Sequence, residues 1–101
     1  MDEQIQKIVK NFVELKDTSE IMLDLAYSAL LLNSRELAEE VMRLEDQVDI
    51  THRDFQLLSL SCDMLAENAE ERLGLIEMGE VTERIADAAA EIAEVVLRGI
   101  E

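Results

Sequence analysis

The sequence has 101 residues, of which 49% are hydrophobic, and its 24 acidic and nine basic side chains give a net charge of −15. This length and apolar content suffice for one domain with one core, which we assign to residues 1–101. The charge disfavours nucleic acid and anionic membrane surfaces as partners, because both bind through clustered Lys and Arg.

The composition predicts an all-α fold. The chain has no proline and only three glycines, so few positions interrupt a helix. The longest apolar run, 25–32, contains Ser28 and is too short to span a bilayer. The opening stretch MDEQIQKIVKNF lacks the apolar segment of a signal peptide. The single cysteine, Cys62, excludes an intrachain disulfide and is expected to be a buried thiol. We therefore expect a cytoplasmic protein without membrane insertion.

Helices 1 and 2 are predicted over residues 3–32 and 35–66. Apolar residues recur at spacings of three and four from Ile5 to Ala29 and again from Leu37 to Leu65, which is typical of a buried helical stripe. Between these stripes, Asn33 and Ser34 resemble a helix stop followed by an N-cap.

Helix 3 is predicted over residues 69–98, with Asn68 as its N-cap and Gly99 just beyond its end. We expect a bend or fraying before Gly79, because a glycine inside a helix costs about 1 kcal/mol relative to alanine. The predicted core stripe consists of Leu75, Met78, Val81, Ile85, Ala88, Ile92 and Val96.

Three long helices joined by short turns predict an antiparallel up-down-up three-helix bundle. Some large apolar residues on helix 1 lie outside its core stripe: Leu23, Leu25, Leu30 and Leu31. A second apolar face of this kind predicts a homodimer or a higher homo-oligomer.

Each predicted helix carries one pair of carboxylates four residues apart, on a face that the pattern turns outward or to a flank. In an antiparallel bundle the three pairs lie at a similar height, and Asp17 and His52 lie on the same faces as secondary candidates. The pairs are Glu20 and Asp24 on helix 1, Glu45 and Asp49 on helix 2, and Glu83 and Asp87 on helix 3.

Two interpretations of these pairs stay open from the pattern. About a quarter of the chain is acidic, so the spacing also arises by chance on a solvated surface. Alternatively, carboxylates one turn apart bind a cation: with histidine they suit iron, zinc or manganese, and alone they suit Mg²⁺ or Ca²⁺.

Two stretches resemble the PhoU domain family. LKDTSEIMLDLAYSALLLNSRELAEEVMRLEDQVD (15–49) is similar to its first two helices, and VTERIADAAAEIAEVV (81–96) is similar to its third-helix signature. The resemblance implies an all-α three-helix bundle, and it implies iron or zinc at E/D-x-x-x-D motifs on the bundle surface. Glu83 and Asp87 match the third-helix motif best, followed by Glu45 and Asp49, and then by Glu20 and Asp24.

The resemblance also implies a regulator rather than an enzyme. Its partners would be a phosphate transporter with its sensor protein, or a potassium or other cation transporter. Family members commonly carry two bundles, whereas this chain carries one, so a homodimer would restore the pair.

The competing hypotheses are a self-associating structural bundle with a solubilising acidic face and a di-metal enzyme. Di-iron bundles place Glu and Glu-x-x-His in the core, whereas the acidic pairs here are predicted to face outward. Ser59, Ser61 and Cys62 lack a nearby base, so we predict no catalytic residue.

Overall fold

The computed structural model describes residues 3–62 and 68–99, and these form three α-helices: α1 (Glu3–Leu32), α2 (Arg35–Ser61) and α3 (Ala69–Leu97). All three pack against one another in a body 54 Å long. Arg35 Nη1 donates a hydrogen bond of 2.7 Å to the carbonyl of Leu97, so the start of α2 lies beside the end of α3. The expected antiparallel up-down-up bundle is confirmed.

The turn between α1 and α2 is built by two polar residues. Asn33 adopts a left-handed conformation with φ of 50°, and the amide of Ser34 donates to the carbonyl of Ala29 at 2.9 Å. This is a Schellman arrangement, which satisfies the last carbonyls of a helix. The Ser34 hydroxyl then accepts from the amide of Leu37 at 3.2 Å and caps α2.

The start and the end of α3 follow the same local chemistry. Asn68 Oδ1 accepts from the amide of Glu71 at 3.0 Å, and Gly99 has φ of 85° directly after the C-cap Arg98. Both the predicted N-cap and the predicted terminal glycine are confirmed.

Helix α2 ends earlier than predicted. Its last residue is Ser61, and Cys62 is extended, with φ of −74° and ψ of 117°. The hydroxyls of Ser59 and Ser61 donate to the carbonyls of Phe55 and Leu57, a back-bonding that weakens helices. Cys62 is buried as expected, and the remainder of the predicted extension, 63–66, lies outside the described residues.

The core is mainly aliphatic and has two parts. The larger part contains Leu15, Met22, Val41 and Val48 together with three alanines of α3, Ala86, Ala89 and Ala93. The smaller part surrounds Phe55, whose ring lies 5.5 Å from that of Phe12. This packing places α2 in close contact with both neighbouring helices.

The core-facing side of α3 differs from the prediction. Met78, Val81, Ile85 and Ala88 are exposed, and small residues fill the interface instead. The buried residues of α3 are Gly79, Thr82, Ala86, Ala89, Ala90, Ala93 and Val96. The prediction followed the largest apolar side chains, but small residues allow a closer helix approach, since interaxial distance depends on the side chains at the contact.

Gly79 is such a point of close approach. A Cβ atom at this position would lie 2.7 Å from Cδ2 of Phe55 and 3.4 Å from Cδ2 of His52. The expected fraying before Gly79 is wrong, because α3 runs unbroken from Ala69 to Leu97. The glycine lets α3 pack directly on the Phe55 ring.

Within the described ranges, no helix is both long enough and apolar enough to cross a membrane.

Candidate functional site

Two of the three acidic pairs lie together along the contact between α2 and α3. Glu45 and Asp49 occupy successive turns of α2, and Glu83 and Asp87 occupy successive turns of α3. The rotation of α3 places Glu83 next to the buried Thr82 and Ala86, on the flank facing α2. We call Glu45, Asp49, His52, Glu83 and Asp87 the α2–α3 acidic cluster.

His52 and Glu83 connect the two helices. His52 Nδ1 and Glu83 Oε2 are in direct contact, and their side chains are only 13% and 24% exposed. His52 Nε2 is buried and lacks a hydrogen-bond partner among the described residues. The cluster therefore contains one buried imidazole nitrogen available to a ligand, whereas Glu83 Oε2 is already engaged by His52 Nδ1.

On the α2 side, the charged forms of the carboxylates are disfavoured. Desolvation and then the charges of Asp49 and Asp87 raise the pKa of Glu45. Desolvation and Asp87 raise the pKa of Asp49, and His52 opposes that rise. Because Asp87 acts on both residues, the α2 and α3 pairs share one negative field.

Glu83 on α3 experiences the same field. Desolvation raises its pKa most, Asp49 and Asp87 raise it further, and the charge of His52 lowers it. A cation bound among these side chains would relieve the repulsion, since a nearby positive charge favours the ionised carboxylate.

The α1 pair lies elsewhere. Glu20 and Asp24 are exposed, and Lys16 Nζ lies 3.1 Å from Asp17 and 3.7 Å from Glu20. A hydrogen bond to Asp17, followed by the charges of Asp17 and Glu20, raises the pKa of Lys16. The structure thus brings together the pairs on α2 and α3 and leaves the α1 pair beside a lysine of its own helix.

Sequence reasoning placed His52 only among the secondary candidates and missed its contact with Glu83. The detectable signal is the spacing of Glu45, Asp49 and His52, which follow one another at i, i+4 and i+7 on a single face of α2. Their neighbours across the interface could not be identified, because the predicted core stripe of α3 was displaced by one residue.

The donor set is chemically suited to a metal, but its geometry is open. Carboxylate oxygens with one imidazole nitrogen are ligands that iron, zinc and manganese accept. Across the described ranges, no three His, Cys, Asp or Glu side chains converge in a way that could hold a metal ion.

Comparison with known families agrees with the three-helix bundle. The PhoU domain matches residues 12–96, which includes nearly all of the three helices and the whole acidic cluster. The chain belongs to the PhoU domain family. No curated protein matches its sequence. PhoU proteins are associated with the regulation of phosphate transport and are generally regulatory rather than enzymatic.

Proposed function

We propose that this PhoU domain is a non-catalytic, cytoplasmic regulatory module of membrane transport, acting on phosphate uptake or on potassium or other cation uptake. The match over residues 12–96 carries the proposal. Its partner would be a membrane transporter or a sensor protein, contacted on the cytoplasmic side. One single-bundle domain, 1–101, would supply the regulatory surface.

Three buried hydroxyls are satisfied within their own helices. Ser19, Ser59 and Thr82 each donate a hydrogen bond to a backbone carbonyl one turn earlier. The proposal therefore assigns none of these three hydroxyls a catalytic role.

The transport role is tested in cells that lack the chain and in the same cells complemented with it. Uptake of radiolabelled phosphate and of rubidium, as a potassium substitute, is measured under limiting and replete supply. We expect loss of the chain to alter the regulation of one ion and complementation to restore it. Unchanged uptake of both ions would contradict the proposal.

We further propose that the α2–α3 acidic cluster binds a transition metal, with iron or zinc preferred over Mg²⁺ or Ca²⁺. The support is the donor set: two carboxylate pairs in one negative field, and the unpaired buried nitrogen Nε2 of His52. Glu83 and Asp87 from α3 and Glu45 and Asp49 from α2 would provide the oxygen ligands. The metal would offset part of the negative charge of the cluster and hold α2 against α3.

The chain contains its own matched control for this test. Asp49→Asn with Asp87→Asn removes two charges from the cluster, and Glu20→Gln with Asp24→Asn removes two charges from a pair of the same spacing on α1. Calorimetric titration with Zn²⁺ or anaerobic Fe²⁺ follows removal of bound metal by a chelator. We expect binding to weaken at least about tenfold in the cluster variant and to be little changed in the α1 variant.

Two results would overturn the metal site. Equal weakening in both double variants would show that only net charge attracts the ion. If titration of the unmodified protein with metal releases no more heat than the buffer control, the metal site is excluded. The alternative is then a self-associating bundle whose acidic face is solubilising. Titrations with Mg²⁺ and Ca²⁺ show whether the site prefers hard cations.

A further inference from the structure

The groove between α1 and α3, on the side away from the acidic cluster, is mainly apolar. Phe12 of α1 and Gly74, Glu77, Met78, Val81 and Thr82 of α3 line a cavity of about 420 Å³ that is open to the surface, and Glu77 is the charged residue among them. Large apolar side chains continue along both helices beside it. They are Val9, Val13, Leu23, Tyr27 and Leu30 on α1 and Met78, Val81, Ile85 and Val95 on α3, all more than a third exposed. We call this set the α1–α3 apolar face.

Its area matches what a stable dimer needs. From the exposed fraction of each residue, the solvent-accessible area of the α1–α3 apolar face is roughly 750 Å². A standard protein–protein interface buries roughly 800 Å² on each partner. An uncovered face of this size favours burial in a complex.

The order of residues along α1 favours a second copy of the same chain as the partner. The outer face of α1 contains, at successive spacings of four, three, four, three and four, the residues Val9, Val13, Lys16, Glu20, Leu23 and Tyr27. This order is symmetric about the midpoint between Lys16 and Glu20. A two-fold axis at that midpoint sets α1 antiparallel to its copy.

In this register the six residues of this α1 row form three kinds of chemically suitable pair. Lys16 of one copy lies opposite Glu20 of the other, and the same pair forms again by symmetry. Val13 lies opposite Leu23, and Val9 lies opposite Tyr27. The charged pair at the centre is therefore self-complementary, and apolar residues flank it on both sides.

Net charge selects the same face. Two chains that each carry −15 repel one another, and the repulsion is strongest between their α2–α3 acidic clusters. Contact through the α1–α3 apolar face keeps those clusters on opposite outer surfaces. We propose that the chain forms a two-fold symmetric homodimer through the α1–α3 apolar face, with α1 antiparallel to α1 of the second copy about the Lys16–Glu20 midpoint.

Sedimentation equilibrium over a range of protein concentrations tests the face. We expect the unmodified protein to be dimeric at micromolar concentration, and Leu23→Glu to raise the dimer dissociation constant at least about 100-fold, as for a central interface residue. The matched control is Leu57→Glu, which places the same charge at an exposed leucine on the outer side of α2. Circular dichroism confirms that both variants stay helical.

Charge reversal tests the register with exposed residues that folding does not need. Lys16→Glu alone, or Glu20→Lys alone, places like charges opposite one another twice, and we expect each to weaken the dimer about 3- to 10-fold. Lys16→Glu combined with Glu20→Lys in one chain should restore the affinity, and so should mixing the two single variants.

Three results would overturn the proposal. The first is an unmodified protein that stays monomeric at about 100 μM. The second is an equal change in the dimer dissociation constant for Leu23→Glu and Leu57→Glu. The third is a double charge reversal that does not restore the affinity. The dimer does not depend on the transport role or on metal, so chelator-treated protein should associate equally well.

Discussion

The close approach at Gly79 makes a sharp prediction about replacing a glycine by alanine. Alanine gains about 1 kcal/mol of helix propensity over glycine. At Gly79, however, the new methyl group would lie 2.7 and 2.8 Å from two carbon atoms of the Phe55 ring, which is fully buried. Overpacking of this kind costs about 1–3 kcal/mol. The net expectation for Gly79→Ala is a loss of about 0–2 kcal/mol in the free energy of unfolding.

Gly74 provides the control in the same helix. A Cβ atom there would meet no heavy atom within 4 Å, so Gly74→Ala should raise the free energy of unfolding by about 0.5–1 kcal/mol. Urea titrations followed by circular dichroism, at one fixed protein concentration, measure both variants. The structure requires the two alanine variants to differ by about 1–3 kcal/mol, with Gly79→Ala the less stable.

A second variant tests the cause of the difference. Phe55→Leu is destabilising by itself, but it removes the ring atoms that the methyl group would strike. In that background Gly79→Ala should become less costly by at least about 1 kcal/mol, which a double-mutant cycle resolves. If Gly79→Ala stabilises the unmodified protein as much as Gly74→Ala does, α3 does not approach α2 as closely as described, and the placement of Glu83 beside His52 loses its basis.

The remaining predictions concern the acidic cluster and the connection between α1 and α2. Because the folded protein raises the pKa values of Glu45 and Asp49 above their ordinary 4.5 and 3.8, stability should increase as pH falls through the raised values and level off below the ordinary ones. Glu45→Gln with Asp49→Asn should flatten this rise in urea titrations between pH 7 and 4, and parallel curves for variant and unmodified protein would contradict it. Ser34→Ala should cost about 0.5–2 kcal/mol through loss of the α2 N-cap, and unchanged stability would show that the cap is dispensable. Asn33→Ala should cost about 1–2 kcal/mol at its positive φ, whereas Asn33→Gly should cost nothing, so equal losses for both would exclude a conformational cause.

The three acidic pairs have the same spacing in the sequence but different surroundings in the bundle. The pattern supplied three equivalent acidic pairs, and the bundle distinguishes them. Lys16 lies beside the α1 pair, and Asp87 raises the pKa values of both carboxylates of the α2 pair. A spacing of four residues specifies a helix face, but it does not specify which other helix that face meets.

The sequence by itself determined the number of helices, their order and most of their ends. Those features depend on residues close together in the chain: Ser34 and Asn68 accept from amides three residues later, and Gly99 adopts a positive φ at its own position. Only the tertiary structure decided how α3 is rotated. That rotation depends on small side chains such as Gly79 and Ala86 fitting against residues of other helices, and an apolar stripe weighted toward large residues does not contain that information. The contact of His52 with Glu83 and the exposed α1–α3 apolar face both follow from this rotation.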